Sequence, residues 1–248
     1  MGTPDRDRRA PLRDDSGVAK YRHEALAVVL QVRPLTTGFV LSVLAWQRPR
    51  EPYAGMWALP SGPVEVDERI GTSVRRHLAT RVELSEVAHL EQLLTVSAPD
   101  RDPFERTIGT AYLGLVPWTN DPKLPAGAAW LPVAELPEMA FDHHRLVHKG
   151  VGRMQAKLSY TNIGFALAPP EFTMAQLRDA YEAALGHKIS VTNLQRILTR
   201  REQLAPTGQT TSPGVKGGRP AKLFRFTRHE LEITDPFAVL RPEPGSRA

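Results

Sequence analysis

The stretch GPVEVDERIGTSVRRHLATRVEL, residues Gly62–Leu84, decides the fold of the first half of the chain. It opens on a glycine, reaches Glu68 after five intervening residues and reaches Arg76 after seven more. We predict a loop at Gly62 that leads into a helix over Glu68–Val82. Residues spaced three and four apart in such a helix share one face, so their side chains can act together.

This frame resembles the Nudix box, whose pattern is a glycine, five residues, a glutamate, seven residues and then R-E-U-x-E-E-x-G-U, where U is apolar. The positions that match are Gly62, Glu68, Arg76, Leu78 and Leu84. The three acidic positions of the R-E-U-x-E-E run instead hold His77, Thr80 and Arg81, and Glu83 stands where the pattern has its late glycine.

The missing acids carry the chemistry of the box. On one face of a helix they hold divalent cations against a pyrophosphate. A histidine, a threonine and an arginine cannot hold magnesium in this way. The resemblance therefore implies a Nudix fold that binds rather than cleaves, and we predict no catalytic residue, no metal ligand and no required cofactor.

Length and composition are typical of a globular protein. The chain has 248 residues, 41% of them hydrophobic, which is enough for one large or two modest domains. It has no cysteine, which excludes disulfides and zinc–thiolate sites. Residues 1–20 read as a disordered tail rather than a signal peptide, and no apolar run approaches the roughly 20 residues of a membrane span. We expect a cytoplasmic protein with no membrane partner.

The excess positive charge lies in the C-terminal part. The chain carries 32 basic and 27 acidic residues, a net charge of +5, and residues 157–248 alone hold 13 basic and 8 acidic residues. Within 190–229 the only acid is Glu202, against eight bases. Such a block indicates nucleic acid as the partner, although a solvated basic face would have the same composition.

The order of predicted elements divides the chain into two domains. Predicted strands cover residues 23–33, 39–48, 56–60, 89–97, 107–116 and 129–133. With the intervening helix they indicate a mixed α/β fold, and we assign residues 21–141 to a Nudix-like α/β/α sandwich. Asp142 is predicted to cap a linker helix over 142–160, which opens a second domain over 142–230; residues 231–248 form a C-terminal tail.

The second domain has the element order of a winged helix-turn-helix. A capping box at Thr173 opens one helix, and Gly186 ends it. Ser190 caps the next helix, which runs to about residue 201. Strands at 204–207 and 223–226 then flank the basic, glycine-rich loop GQTTSPGVKGGRPAK. The predicted fold class is thus mixed α+β, an α/β/α sandwich followed by a winged helix-turn-helix.

These segments in this order resemble the NrtR-type, Nudix-related transcriptional regulators of bacterial NAD metabolism. The matching segments are WALPSG (57–62), LEQLLT (90–95), RDP (101–103), AFDH (140–143), FTMAQLRDAYEAALG (172–186) and GRPAKLFRF (218–226). The resemblance covers roughly residues 24–226. It implies a homodimer that binds a palindromic double-stranded DNA operator and regulates genes of NAD biosynthesis or salvage, with ADP-ribose or a related nucleotide as effector. We expect a repressor, and the sequence leaves an activator open.

The chain departs from the family pattern in two places. The usual glycine pair after the LP dipeptide is Ser61-Gly62 here. The core of the recognition helix, usually rich in arginine, reads VTNLQRILTRR over residues 191–201, which leaves the operator sequence open.

The recognition helix is expected to enter the major groove with its N-terminus first. The predicted DNA contacts lie on this helix and on the wing: Thr192, Asn193, Arg196, Arg200, Arg201, Lys216, Arg219 and Lys222. Asparagine can read adenine and arginine can read guanine, whereas the later arginines and the wing residues suit the DNA backbone or minor groove. The alternative is that Arg196 and Arg200 only make the helix soluble.

Seven residues of the first domain are predicted ligand contacts: Arg48, Trp57, Glu68, Arg76, Arg81, Phe104 and Arg106. Arg48 resembles a Nudix residue that approaches the phosphate or the base of the ligand. Arg106 is a candidate for phosphate, from the same subunit or from the dimer partner. Trp57 and Phe104 would stack on adenine or else belong to the core. Arg81 occupies a glutamate position of the box. Its guanidinium could replace the missing cation beside a pyrophosphate, or it could be a plain surface arginine.

Three histidines, His143, His144 and His148, open the linker helix. The i, i+4 spacing of His144 and His148 can bind zinc, but no clear third ligand accompanies them, so we assign no metal. His143 is interpreted as a packing residue of the AFDH turn.

The linker helix is the expected connection between ligand and DNA, because a ligand shifts an equilibrium only by binding two states differently. Two other functions stay open. The chain could be an active Nudix hydrolase of ADP-ribose or a related dinucleotide with secondary DNA binding, in which Glu65, Glu68 or Glu83 would hold a metal. The winged helix could also serve protein contacts instead of DNA.

Overall fold

The computed structural model describes residues 13–36, 38–211 and 220–235. Its N-terminal half is built on a seven-stranded sheet. The strands are β1 (Arg22–Leu35), β2 (Gly38–Gln47), β3 (Trp57–Ala58), β4 (Ser61–Pro63), β5 (His89–Val96), β6 (Thr107–Val116) and β7 (Ala128–Pro132). Their order is β3-β2-β1-β6-β5, with β4 paired to β1 and β7 paired to β2. Strand β1 runs parallel to β6 and antiparallel to β2, so the sheet is mixed.

Two layers of helix cover the sheet. Helix α1 (Ile70–Val82) packs Val74, Leu78 and Val82 against the face of β1 that carries Ala27. The opposite face is covered by α2 (His143–Tyr160) and by α3 (Met174–Leu185), a helix of the C-terminal half. The predicted α/β/α sandwich is confirmed, and β1 is a continuous apolar run because it is buried on both faces.

The C-terminal half is the predicted winged helix. Helix α3 is followed by α4 (Val191–Arg200), and a three-stranded sheet joins β8 (Phe172–Thr173), β10 (Lys222–Phe226) and β9 (Leu204–Thr210) in that order. The capping box at Thr173 is present, Gly186 ends α3 with a φ of 77°, and the Ser190 side chain caps α4 by accepting from the Asn193 amide.

One hydrophobic core runs through both halves. Buried residues of β1, α2 and α3 belong to the same cluster. The Trp118 ring makes edge contacts with Phe39 of the sheet at 5.6 Å between centroids and with Phe172 of the winged helix at 6.1 Å. The orientation of the winged helix on the sheet is therefore fixed by packed side chains.

Three predicted details are wrong. Helix α1 begins at Ile70, because the Glu68 carboxylate holds the preceding loop by accepting from the Glu65 amide at 2.9 Å. Of the strand predicted over 56–60, only Trp57–Ala58 is a strand, and β4 follows at Ser61–Pro63, where the prediction had a loop. Asp142 stands at the N-terminus of α2 but makes no capping hydrogen bond there, because its carboxylate binds Arg101.

The start of the predicted C-terminal tail also packs on the fold. Ile233 forms a β-bridge with Thr161, and the Thr234 amide donates to the Tyr160 carbonyl at 2.9 Å. Within the described ranges, no helix combines the length and the apolar character that crossing a membrane requires.

Candidate functional site

The substituted positions of the box have separate roles. His77 is buried, with Nε2 3.0 Å from the Pro63 carbonyl oxygen, and burial lowers the pKa of this ring. It packs so closely on the loop that a Cβ at Gly62 would lie 2.2 Å from His77 Cε1. Thr80 donates from its hydroxyl to the backbone carbonyl of Arg76 at 2.8 Å. Neither side chain can supply a metal with an anionic oxygen.

Glu83 takes over the backbone role of the late glycine. It ends α1 with a φ of 54°, in the left-handed conformation. Glycine is the residue that adopts this conformation most readily, which explains why the box pattern has one there. Glu83 is exposed at this helix end and is not among the residues that line the cleft described next.

A cleft of about 230 Å³ opens where the end of β2, the start of β4 and the loop before β6 meet. Its lining consists of Arg22, Glu24, Trp46, Arg48, Pro49, Arg50, Glu51, Pro52, Ser61, Gly62, Arg81, Asp102, Phe104, Glu105 and Phe141. Arg81 is the contribution of α1 to this wall. The box helix therefore presents a guanidinium to the cleft where the pattern would present a carboxylate.

The charges in the cleft are unevenly paired. Arg22 is neutralised by Glu24 and by Glu105, each at 2.8 Å. Within the described part of the chain, neither Arg48 nor Arg81 has a carboxylate oxygen within 4.0 Å. The exposed Arg50 of the lining also has no ion pair among the described residues. Free guanidiniums that line one cleft make a site for an anion.

Both of these arginines are held by aromatic rings. The guanidinium carbon of Arg81 lies over the Trp46 ring, 5.1 Å from its centroid. That of Arg48 lies 4.7 Å from the centroid of Phe141, and Arg48 Nε donates to the Pro52 carbonyl at 2.7 Å. Burial lowers the pKa of Arg48. The guanidinium of arginine stays charged in proteins.

Three of the seven predicted ligand residues line the cleft: Arg48, Arg81 and Phe104. The Phe104 side chain is 63% exposed at the rim, so a planar ring can stack on it. Trp57 lies elsewhere, half-buried in β3 and packed against the main core.

The other three predicted ligand residues are engaged by protein groups. Arg76 Nε donates to Glu68 at 3.1 Å, and this hydrogen bond lowers the pKa of Glu68 to about 2. Arg106 donates to the Ser97 carbonyl at 2.7 Å and covers the Tyr21 ring. None of these three side chains is among the residues that line the cleft.

Two cleft aromatics were missed from the sequence. Trp46 and Arg48 are two residues apart at the end of β2, and alternation along a strand places such residues on one side. That signal could have found Trp46. Phe141 has no comparable signal. It reaches the cleft through a left-handed backbone conformation, with a φ of 56° just before α2, which a sequence does not predict for a non-glycine residue.

The residues after Phe141 tie the cleft to α2. Arg101, whose side chain is 3% exposed, binds Asp142 at 2.9 Å. Burial would raise the pKa of Asp142, but the hydrogen bond and charge of Arg101 outweigh it and hold the pKa below its usual value. His143 Nδ1 accepts from the Leu59 amide at 3.0 Å, and burial lowers the pKa of this ring far below its usual value, so it is neutral.

The packing interpretation of His143 is therefore confirmed. His144 and His148 are exposed and lie edge to face, 4.6 Å between centroids. Among the described residues there is no group of three or more histidine, aspartate or glutamate side chains arranged to hold a metal ion.

Helix α4 presents a polar, exposed face from its first turn to its last residue. Thr192, Asn193, Arg196 and Arg200 are all exposed, whereas Leu194 and Leu198 are buried. Arg196 donates to the Asn193 side-chain oxygen at 2.8 Å, which orders both groups on one face. Lys222 is exposed at the start of β10, and Lys216 and Arg219 lie outside the described residues.

Arg201, also predicted as a DNA contact, is engaged by protein groups in this structure. It donates to the Ser159 carbonyl at 2.7 Å and to Asp235 at 2.6 Å, so it fastens the end of α4 to α2 and to the C-terminal segment. Its charge is already neutralised by a carboxylate, which removes it from the free phosphate contacts.

An α/β/α sandwich with an altered box, followed by a winged helix, defines the class as a Nudix domain joined to a DNA-binding domain. The NUDIX domain family matches residues 22–150, and the NrtR DNA-binding winged helix domain matches residues 164–226. The chain belongs to the NrtR family of Nudix-related regulators.

The chain is similar to regulators of this family and, over its first domain, to a hydrolase. The chain is 27% identical over 203 residues to the ADPR responsive transcriptional repressor NtrR of Acinetobacter baylyi, covering 79% of this chain and 80% of that protein. The crystal structure of Shewanella oneidensis NrtR complexed with a 27mer DNA has a TM-score of 0.68 and 26% identity, covering 82% and 92%. An ADP-ribose pyrophosphatase of Methanocaldococcus jannaschii is 31% identical over 111 residues, or 42% of this chain and 63% of that protein.

Proposed function

We propose that this protein is a transcriptional repressor of NAD biosynthesis or salvage genes that senses ADP-ribose or a related NAD metabolite. The observation that carries the sensing half is the cleft with two unneutralised arginines, Arg48 and Arg81, beside the exposed face of Phe104. A nucleotide with a pyrophosphate offers two negative charges and a planar base, which these groups complement.

The DNA-binding half is supported by α4. We assign base contacts to Thr192, Asn193 and Arg196, and phosphate contacts to Arg200 and Lys222, because these side chains are exposed on one recognition surface. Lys216 and Arg219 are assigned to the wing from the sequence. The A. baylyi relative is a repressor by name, and the S. oneidensis relative was crystallised with DNA, which supports the same roles here.

We infer that the chain acts as a homodimer on a palindromic operator, since two recognition helices must reach two half-sites in successive major grooves. The sensing unit is placed over residues 21–141 and the DNA-binding unit, with its linker helix, over 142–230. Such a protein acts in the cytoplasm and requires no cofactor.

Coupling between the two sites runs through the start of α2. Arg48 covers the Phe141 ring, Asp142 is bound by Arg101, and His143 is bound by the Leu59 amide. A pyrophosphate that binds Arg48 competes with the contact to Phe141. Phe141, whose backbone is strained at the start of α2, is thereby freed to move. Helix α2 then transmits the displacement of Phe141 to the winged helix.

Selection from a randomised duplex pool, followed by fluorescence anisotropy, tests the function. The protein should select a palindromic site, bind it with an affinity that falls steeply with salt, and release it when ADP-ribose is added. A Thr80→Ala protein is the matched control, since Thr80 lies on α1 outside the cleft and should respond to ADP-ribose as the wild type does.

Binding that ignores both sequence and ADP-ribose would refute the proposal. Binding to a protein partner with no affinity for duplex DNA would instead favour a winged helix that serves protein contacts.

Hydrolysis is the alternative that the pyrophosphatase relative raises. The acids of the box stretch that this alternative invokes as metal ligands are Glu65, Glu68 and Glu83. Glu68 is bound to Arg76, and Glu83 caps the far end of the helix, so they do not converge on the cleft. We therefore propose a protein that is not an enzyme. A magnesium-dependent turnover of ADP-ribose at a rate typical of enzymes would overturn this.

A further inference from the structure

We propose that Arg81, held over Trp46, takes the place of the magnesium ion that a Nudix box would bind, so that this cleft recognises a nucleotide pyrophosphate without a divalent cation. The inference rests on the proposed sensing function and adds the chemistry of recognition. The question is whether the Arg81 guanidinium or a magnesium ion binds the phosphates.

The residues on the box helix do not fit magnesium. That ion requires several oxygen ligands in near-octahedral arrangement, most often carboxylates and waters. His77 is turned inward to the Pro63 carbonyl, and Thr80 bonds back to its own helix. In the described ranges no three metal-binding side chains converge. Of the cleft carboxylates, Glu24 and Glu105 are both paired with Arg22.

Arg81 fits the vacated role by position and by charge. It lines the cleft from the last turn of α1, and it has no carboxylate partner among the described residues. Its Nε is buried and has no hydrogen-bond partner in the described structure. A guanidinium presents a planar fork of donors that matches phosphate oxygens, and its positive charge persists at any physiological pH.

Trp46 is the positioning residue for this guanidinium. Its ring lies under Arg81, and its indole N–H donates to the Leu59 carbonyl at 3.2 Å. Backbone pairing with Ala58 and Ala128 on opposite sides fixes the strand that carries the ring. Cation–π attraction then holds the guanidinium without neutralising it, so its charge stays available to an anion.

The charge balance supports the same assignment. The pyrophosphate of ADP-ribose carries two negative charges. Among the described residues, Arg48 and Arg81 are the half-buried cleft arginines without an ion pair, and the exposed Arg50 also lacks one. A dication placed beside these two arginines would be repelled by their charges. The pair of arginines therefore both replaces the metal and disfavours it.

Calorimetric titration of ADP-ribose in excess EDTA and in excess magnesium tests the proposal. We expect dissociation constants that agree within about twofold, whereas a metal-requiring site would lose tenfold or more in EDTA. Arg81→Ala should weaken binding about ten- to a hundredfold in both buffers, because one charge-assisted phosphate contact is lost. Arg75→Ala removes the same charge from the exposed side of the same helix and should bind as the wild type does.

Two variants of Trp46 separate positioning from fold stability. Trp46→Phe and Trp46→Leu both lose the indole hydrogen bond, but only the leucine loses the aromatic face. The phenylalanine protein should keep most of the affinity and the leucine protein should approach Arg81→Ala. Equal affinities in the two would refute the positioning role of the ring.

The result that overturns the inference is a wild-type affinity that depends on magnesium, or an Arg81→Ala protein with undiminished affinity. Failure of the proposed function looks different: the wild type would then bind no ADP-ribose in either buffer.

Discussion

Replacing Gly150 with alanine tests how closely the linker helix packs on the sensor sheet. A Cβ at residue 150 would lie 2.6 Å from Val28 Cγ1 and 3.3 Å from Val28 Cβ, and Val28 is fully buried in β1. Ordinary carbon contacts are roughly 3.5–4.0 Å, so α2 or the strand must shift by about 1 Å. Overpacking of this kind costs about 1–3 kcal/mol.

Gly152 supplies the matched control, because it lies one half-turn further on α2, is exposed, and a Cβ there would meet nothing within 4 Å. Alanine at either position gains about 1 kcal/mol of helix propensity. Gly152→Ala should therefore raise the free energy of unfolding by about 1 kcal/mol. The free energy of unfolding of Gly150→Ala should be lower than that of Gly152→Ala by the overpacking cost, about 1–3 kcal/mol.

Equilibrium urea unfolding of the two proteins measures this difference. A Val28→Ala substitution makes room for the added methyl, so the double variant with Gly150→Ala should be more stable than the sum of the single effects. Equal stabilities of Gly150→Ala and Gly152→Ala would refute the close packing of α2 on β1. The shifted helix should also change operator affinity, whereas Gly152→Ala should leave it unchanged.

Three further predictions concern the box, the junction and the recognition helix. Glu83→Gly should stabilise the protein by about 1 kcal/mol in thermal unfolding, since glycine adopts the left-handed helix end without steric cost. The pKa of Asp142 is lowered in the folded protein, so this carboxylate stabilises the fold above the ordinary carboxyl pKa of about 4. That stabilisation is lost as the pH falls through the pKa of the folded state. Asp142→Asn should therefore lower the free energy of unfolding at neutral pH and make it fall less steeply in acid. Arg196→Ala should weaken operator binding by about 1–3 kcal/mol and relax one base position in a site-variant assay, whereas Arg200→Ala should weaken all sites evenly and reduce the salt dependence.

The elements that the sequence predicts best are those with local signals. Strand β6 has the predicted bounds, residues 107–116, and the capping box at Thr173 is present as expected. In both cases the determining residues are neighbours in the chain. The altered box could also be identified from the sequence, because the pattern is defined by the spacing of its residues.

The junction between cleft and linker helix was not readable, because its contacts join distant residues. Arg101 and Asp142 are 41 positions apart, and the Leu59 amide and His143 are 84 apart. The capping role expected of Asp142 was wrong for this reason: a buried arginine offers a stronger partner than the helix end. Arg201 is a similar case. Its place in the basic stretch predicts a DNA contact, whereas the structure pairs it with Asp235, 34 positions further along the chain.

Titration of ADP-ribose into the protein–operator complex, with the nucleotide analysed afterwards, tests the central claim most directly. Fluorescence anisotropy follows the DNA, and chromatography follows the ADP-ribose, in the presence of magnesium. A sensor that binds without cleaving predicts release of the DNA while all of the ADP-ribose is recovered intact. Conversion of ADP-ribose to AMP, or DNA that stays bound at saturating nucleotide, would contradict it.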